Sequence, residues 1–266
     1  MKKAFLFIAA AMMIFASCGG KKDNPNKPIG GDEGEELILI DGEFADWAAA
    51  PNVLTVNRSE EYVGETISED NQRIDAVKTM KVTADQYNVY FYFEVDMSVK
   101  FQGGAPKWDG SLASDGYAAH LAIYVNSDND PNTGGHEWEF NEQGYEYYFE
   151  AGEVFSRDAS LVGEMASGTL NKFTGADGAE LWATGDASQE EVTGEGIYAG
   201  WGVKEGDIIK YEVALTRSFL GITGNKISVG AIVYQDADWM LMSAMPQANA
   251  GVEGDWKGKL LEVTLP

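Results

Sequence analysis

The sequence has few of the residues that metal clusters and nucleic-acid sites require. Its 266 residues include one cysteine and two histidines. A single cysteine cannot form an internal disulfide, and it excludes a multi-cysteine zinc site or an iron–sulfur cluster. Basic residues are scarce too, because 19 Lys and Arg stand against 43 Asp and Glu, a formal net charge of −24. Phosphate binding needs clustered Lys and Arg, so we expect no nucleic-acid partner.

The sequence also lacks an apolar run long enough to span a membrane as a mature helix. The run at residues 4–16 follows Lys2 and Lys3, which is the arrangement of a secretory signal peptide. Two small residues then precede Cys18, as in bacterial lipoproteins, where cleavage occurs before a cysteine that carries lipid. We expect residues 1–17 to be a lipoprotein signal peptide and acyl chains on Cys18 to hold the protein on the membrane. An ordinary signal peptide with an incidental cysteine is the alternative.

Residues 18–36 comprise the lipidated cysteine and a linker rich in Gly, Pro, Asn and charged residues. This composition favours a flexible tether. The early Lys-Lys-Asp at residues 21–23 resembles the lysine-plus-acidic signals that send lipoproteins to the cell surface in the Bacteroidota. We therefore expect a lipid-anchored outer-membrane protein, at the cell surface or otherwise on the periplasmic face.

From residue 37 onward the sequence has the alternating apolar pattern of β-strands, divided by Gly, Asp and Asn. Only residues 216–222 suggest a helical turn, and we expect long loops in 156–207. The pattern predicts the all-β class, a single antiparallel β-sandwich of jelly-roll or immunoglobulin-like two-sheet architecture, with residues 37–266 as one domain. The predicted strands cover residues 36–41, 75–82, 87–95, 116–125, 145–155, 180–184, 208–215, 226–236 and 258–265.

Seven local motifs, in order, resemble the family 9 carbohydrate-binding-module-like fold, a relative of the DOMON β-sandwiches. They are IDGEFADW (40–47), VTADQYNVYFYFEV (82–95), HLAIYVNSDNDPNTGG (120–135), GYEYYFE (144–150), YEVALTRSFLG (211–221), IVYQDADW (232–239) and WKGKLLEVTL (256–265). The resemblance implies a glycan ligand, since family 9 modules hold a sugar between two tryptophans. Trp239, after the late acidic loop, is the best match to that site.

Three of the seven tryptophans lie in polar segments typical of loops: Trp108, Trp138 and Trp239. The C–H face of a sugar packs on an indole, and its hydroxyls pair with acids such as Asp236. We expect these four residues to form the glycan site. The alternative is that the rings fold onto the ends of the sandwich.

An acidic loop has the oxygen spacing of a calcium site. Asp128, Asp130 and Asn132 occupy alternate positions, and Glu139 lies seven residues further on. We expect a structural Ca²⁺ there, although an Asx turn with local hydrogen bonds remains open. Asp41 and Asp46 in the opening motif are either capping residues or further calcium ligands.

No nucleophile elbow, zinc-protease or P-loop motif is present, so we expect no enzyme. His120 alternates with core residues and is expected to be structural or on the surface. The expected function is glycan binding by a monomeric envelope lipoprotein. Three alternatives stay open: an assembly lipoprotein that binds another envelope protein, a haem-binding DOMON with Met80 or Met97 and His120 as ligands, and a glycan-acting enzyme.

Overall fold

The computed structural model describes residues 37–58, 75–98, 118–137, 140–141, 144–156, 163–165, 167–180, 188–235, 241–247 and 258–266. Two short 3-10 helices, Asp46–Ala48 and Arg217–Phe219, accompany the strands in these ranges. The strands are β1 (Leu54–Asn57), β2 (Val77–Ala84), β3 (Asn88–Asp96), β4 (Ala118–Asn126), β5 (Phe140–Asn141), β6 (Tyr147–Ser156), β7 (Thr169–Phe173), β8 (Gln189–Glu191), β9 (Tyr198–Glu205), β10 (Ile208–Thr216), β11 (Lys226–Gln235), β12 (Leu241–Met245), β13 (Gly258–Lys259) and β14 (Leu261–Thr264).

The strands form two antiparallel sheets. The five-stranded sheet has the order β1-β2-β3-β10-β9. The larger sheet has the order β12-β11-β4-β6-β7-β8, and β14 also pairs with β11. A separate parallel pair joins β13 to β5. The predicted all-β sandwich is therefore confirmed. In the described ranges no helix is long and apolar enough to cross a membrane.

The main core lies between the two sheets and is built by strict alternation. In β3 the side chains of Val89, Phe91, Phe93 and Val95 face this core. β10 contributes Ile209, Tyr211, Val213 and Leu215, and the larger sheet contributes Leu121, Ile123, Val125, Phe149, Val229 and Val233. Because the inner faces carry the apolar residues, the outer faces are where polar side chains collect.

The turn between β2 and β3 is stabilised by one side chain. Asp85 Oδ1 accepts hydrogen bonds from the backbone N–H groups of Tyr87 and Asn88, both at 2.7 Å. Asp85 Oδ2 accepts from the hydroxyl of Tyr90 at 2.7 Å. The turn chemistry of aspartate thus fixes the register of the central strands.

The opening strand predicted at 36–41 is wrong for its described part. Residues 37–50, here called the strap, cross the outer face of the five-stranded sheet without strand pairing. The backbone N–H groups of Leu39, Asp41 and Gly42 donate to carboxylate side chains instead of a neighbouring strand. Ile38, Ile40 and Trp47 pack on Tyr90 and Tyr92 of β3. The strap therefore forms a third layer over that sheet.

The loop prediction for 156–207 is also partly wrong, because β7, β8 and β9 lie there. In β9 the alternation is hidden by Gly200 and Gly202. A Cβ at Gly200 would lie 2.4 Å from Met165 and 3.2 Å from Tyr211. The side chains of Met165 and Tyr211 occupy the space inside Gly200. Because glycine supplies no side chain there, the sequence of β9 shows no apolar alternation.

Candidate functional site

The outer face of the larger sheet carries a group of polar and aromatic side chains, here called the tyrosine face. It consists of His120 and Tyr124 on β4, Tyr148 and Glu150 on β6, Tyr234 on β11 and Glu137. Their strand neighbours Leu121, Ile123, Phe149 and Val233 point into the core, so these side chains must point outward. Register places Tyr124 opposite Tyr148 and Tyr234 opposite His120.

Hydroxyl–carboxylate pairs connect the tyrosine face. Tyr124 Oη donates to Glu137 Oε2 at 3.2 Å and is hydrogen-bonded to the hydroxyl of Tyr234. Tyr148 donates to Glu150 and accepts from the amide of Gln189 on β8. Burial raises the pKa values of Tyr124 and Tyr148, and the nearby carboxylates raise them further. The tyrosines are therefore neutral donors across the physiological range.

The face has a buried floor and an accessible upper layer. Tyr124, Tyr148 and Glu137 are 2%, 3% and 4% exposed, and the rings of Tyr124 and Tyr148 stack with centroids 6.0 Å apart. His120, Glu150 and Tyr234 are only half-buried. Burial also raises the pKa of Glu150, although His120 and the Tyr148 hydroxyl oppose that effect. A ligand on this face would meet three polar side chains held by a rigid sheet.

The sequence did not single out this face, and His120 is where it was expected, on the opposite side of its strand from the core. The signal was present as His120 and Tyr124 on one face of β4, and as Tyr148 and Glu150 at alternate positions of β6. It could not be read because the grouping depends on β11, β4 and β6 being neighbours.

The predicted sugar-binding residues Trp108, Trp138, Trp239 and Asp236 lie outside the described residues. Two of these segments are, however, continuous in sequence with residues at the larger sheet. Trp138 directly follows Glu137, and the segment 236–240 directly follows β11. Trp47, by contrast, is described: it is 3% exposed and packs from the strap onto Tyr92 of β3, which is a structural role.

The start of β4 and the end of β11 lie side by side. Gln235 pairs with Ala119, and Ala119 also pairs with Phe155 near the end of β6. The segment containing Trp108 joins the sheet at the start of β4, and the segment containing Trp239 leaves it at the end of β11. Two predicted ligand-binding segments are thus attached to neighbouring strand ends.

The acidic loop forms consecutive Asx turns. Asp128 Oδ1 accepts from the backbone N–H of Asp130 at 2.9 Å. Asp130 Oδ1 accepts from the backbone and side-chain N–H groups of Asn132 at 2.9 and 2.7 Å, which lowers the pKa of Asp130. Glu139 lies outside the described residues. The local hydrogen bonds fit the alternative of a polar turn, and the predicted calcium site remains a prediction.

A further carboxylate, Glu146, approaches the same loop and was missed by sequence reasoning. Thr133 Oγ1 lies 3.1 Å from Asp128 Oδ2, 3.1 Å from the Asp130 carbonyl oxygen and 3.2 Å from Glu146 Oε1. Burial raises the pKa of Glu146, and the Asp128 charge adds to this. An all-oxygen donor set suits Ca²⁺. Within the described ranges, however, no group of three or more His, Cys, Asp or Glu side chains could hold a metal.

The two acids of the opening motif accept hydrogen bonds from backbone N–H groups of the strap, although neither is the N-cap of the 3-10 helix, which is Ala45. Asp46 accepts from the backbone N–H groups of Leu39 and Trp47, and Asp41 accepts from that of Glu43. The structure also disfavours the haem alternative. Met80 and Met97 lie in the core between the sheets, whereas His120 faces outward. The described structure does not bring these ligands together.

Comparison with known proteins shows resemblance at the level of solved structures. No protein-family model matches the chain, and a search of curated proteins finds no match. The chain is similar to a family 9 carbohydrate-binding module from Caldicellulosiruptor kristjanssonii, solved with cellotriose and with glucose. The cellotriose complex is 12% identical, with 86% of this chain and 89% of that chain covered and a TM-score of 0.37. The glucose complex is 13% identical, with 87% and 92% covered and a TM-score of 0.39. Both TM-scores are low, so the similarity carries no inference about the ligand of this chain.

Proposed function

We propose that this protein is a non-catalytic lipoprotein of the cell envelope that binds glycan through loop tryptophans. The observation that carries the proposal is that three tryptophan-bearing segments begin or end at the larger sheet, although the segment with Trp108 also connects to β3 of the other sheet. Trp138 adjoins Glu137 of the tyrosine face, and the segments with Trp108 and Trp239 join neighbouring ends of β4 and β11. The sequence motifs that resemble family 9 modules support the same ligand class.

The loop tryptophans and the tyrosine face would contact different parts of a sugar. An indole supplies a flat apolar surface for the C–H groups of a sugar ring, and the hydroxyls of the sugar need hydrogen-bonding partners. The tyrosine face provides hydroxyl and carboxylate groups beside the point where Trp138 begins. Aromatic surface and polar groups in one place are what oligosaccharide recognition requires.

The described surface offers no observation that favours the assembly alternative. Leu39, on the strap, is the exposed large hydrophobic residue in the described part of the chain, with 49% of its surface accessible. Single exposed apolar side chains are normal on soluble domains. We therefore propose glycan binding rather than assembly with another protein. We also propose that a calcium ion at Asp128, Asp130, Asn132 and Glu139 stabilises the domain.

The test replaces Trp239 by alanine and screens the purified full-length protein in detergent on a glycan array. We expect the variant to lose binding by about a hundredfold or more, because stacking anchors carry much of such an affinity. Its melting temperature should barely change. The matched control is Trp201→Ala, which removes a half-buried tryptophan from the outer face of the other sheet. If Trp239→Ala melts about ten degrees lower with binding intact, Trp239 belongs to the core and the site lies elsewhere.

A further inference from the structure

We infer that the tyrosine face is itself a sugar-contacting surface, with Glu150, His120 and Tyr234 as its contact residues, and that it selects neutral glycans over acidic ones. The inference rests on the proposed function and goes beyond it, because none of these residues belongs to the tryptophan loops.

The first argument is accessibility on a fixed frame. His120 and Tyr234 are directly opposite each other on paired strands, and Glu150 is placed on the next strand, β6. All three are half-buried, so each has surface available to a ligand. The floor beneath them is buried and hydrogen-bonded. Polar groups on packed strands are preorganised and lose little entropy on binding.

The second argument is the direction of the hydrogen bonds. Tyr124 donates its proton to Glu137, and Tyr148 donates to Glu150. The tyrosine hydroxyl protons of the floor thus point at carboxylates of the face itself. An ionised carboxylate only accepts hydrogen bonds and has about four lone-pair sites, more than one hydroxyl can occupy. The ligand that suits Glu150 is a donor, and a sugar hydroxyl is such a donor.

The third argument is charge. Glu137 and Glu150 lie on the same face, and the chain as a whole carries −24. A uronate or sulfate brought to this surface meets like charges at short range and a negative field at long range. A neutral glycan meets neither penalty. The rejection of acidic glycans therefore follows from the same carboxylates that would accept the hydroxyls of neutral ones.

The experiment uses probes that share a backbone and differ in charge. Affinity electrophoresis of the full-length protein in detergent compares hydroxyethyl cellulose with carboxymethyl cellulose, dextran with dextran sulfate, and methyl-esterified with de-esterified homogalacturonan. We expect binding to at least one neutral polymer, and at least tenfold weaker binding to its acidic partner. An acidic partner that binds as well as the neutral one would overturn the selectivity.

Substitutions at Glu150 and Tyr234 test whether these side chains contact the glycan. Glu150→Gln should weaken binding to the neutral probe at least tenfold, and Tyr234→Phe, which keeps the ring, should weaken it less. The matched control is Glu94→Gln, because Glu94 also accepts from a tyrosine, Tyr92, and is half-buried on the outer face of the other sheet. Equal melting temperatures establish that the variants fold.

The outcomes separate the two proposals. Binding that Trp239→Ala abolishes, while Glu150→Gln and Tyr234→Phe bind like Glu94→Gln, sinks the inference and leaves the proposed function standing. A protein that binds none of these probes and nothing on the array refutes both.

Discussion

At the scale of single residues, Glu212 shows how one side chain attaches a whole segment. It has no exposed surface, and its two oxygens accept from the backbone N–H of Asp41 at 2.9 Å, the backbone N–H of Gly42 at 2.8 Å and the indole N–H of Trp47 at 3.2 Å. Burial raises its pKa to about 7, although these donors oppose the effect. The hydrogen bonds that hold the strap are thus made by a carboxyl group whose ionisation in the interior is costly.

The pKa of Glu212 predicts a pH-dependent stability. Because the folded state holds its proton up to about pH 7 and the unfolded state releases it near the ordinary value for glutamate, stability falls as pH rises between these values. Relative to Glu212→Gln, we expect the wild type to lose about 2–3 kcal/mol of unfolding free energy over that window. Urea denaturation at several pH values measures the difference.

The comparison with Glu212→Gln is needed because the other carboxylates also respond to pH. If the unfolding free energies of the two proteins depend on pH in the same way, the pKa of Glu212 is not raised in the fold and the prediction is wrong.

At the scale of elements, the strap depends on a glycine. Gly42 has a φ of +80°, and a Cβ there would lie 2.5 Å from Trp201 Cδ1. Trp201 on β9 and Glu212 on β10 therefore approach the strap backbone closely from two neighbouring strands. A side chain at residue 42 must displace either the indole or the strap itself.

Two glycine variants separate this contact from backbone strain. Gly206 also has a positive φ, +65°, but a Cβ there meets nothing within 4 Å. We expect Gly206→Ala to cost about 1–2 kcal/mol, the price of the left-handed backbone, and Gly42→Ala to cost at least about 1 kcal/mol more because of the steric conflict. Denaturation midpoints in urea check this, and equal losses would show that Trp201 moves aside freely.

The acidic loop is the second element with a measurable consequence. If calcium binds there, with about 2 mM calcium and a Kd on the order of 10 μM, the folded state gains about 3 kcal/mol. The melting temperature should then rise by roughly 6–10 °C, and magnesium should do much less. Melts in chelator, calcium and magnesium measure this, and Asp128→Ala and Asp130→Ala should abolish the shift.

Glu146→Gln extends the calcium test to the carboxylate that only the structure revealed. A wild-type curve that calcium does not move leaves the loop as a series of Asx turns. A shift that survives both aspartate variants places the metal elsewhere.

The sequence predicted those elements whose signals are local. Alternation found β2, β3, β4, β10 and β11. The Asx turns at Asp128 and Asp130 are the alternative that the sequence left open beside a calcium site. The strap was misread because its N–H partners lie on Glu212, about 170 residues away in sequence. The tyrosine face and Glu146 were missed for a related reason, since each depends on which strands become neighbours, and no local pattern reports that.

At the scale of the whole molecule, the described residues form a sandwich in which both outer faces are partly covered. The strap covers the outer face of one sheet, and the loops around Phe140, Tyr145 and Phe173 cover part of the other. The part of the larger sheet that stays half-open is the part with polar side chains. Among the described residues of that face, His120, Glu150 and Tyr234 of the proposed ligand site keep accessible surface.

The anchoring of this assembly is a prediction that rests on Cys18. We expect Cys18→Ala to leave the protein soluble in the periplasm or uncleaved in the inner membrane, because the acyl chains supply most of the membrane affinity. Cell fractionation with an antibody to the folded domain measures it, with Cys18→Ser as a second variant. A Cys18→Ala protein that still fractionates with the outer membrane would refute the lipoprotein assignment.

The long separation between the strap and Glu212 also sets an order of events during biosynthesis. Asp41 and Gly42 leave the ribosome about 170 residues before their partner exists. During that interval the strap lacks the carboxylate that accepts from its backbone, and β3 lacks its neighbour β10. The strap can therefore dock fully only after Glu212 of β10 has been synthesised, which makes its closure over the five-stranded sheet a late step in folding.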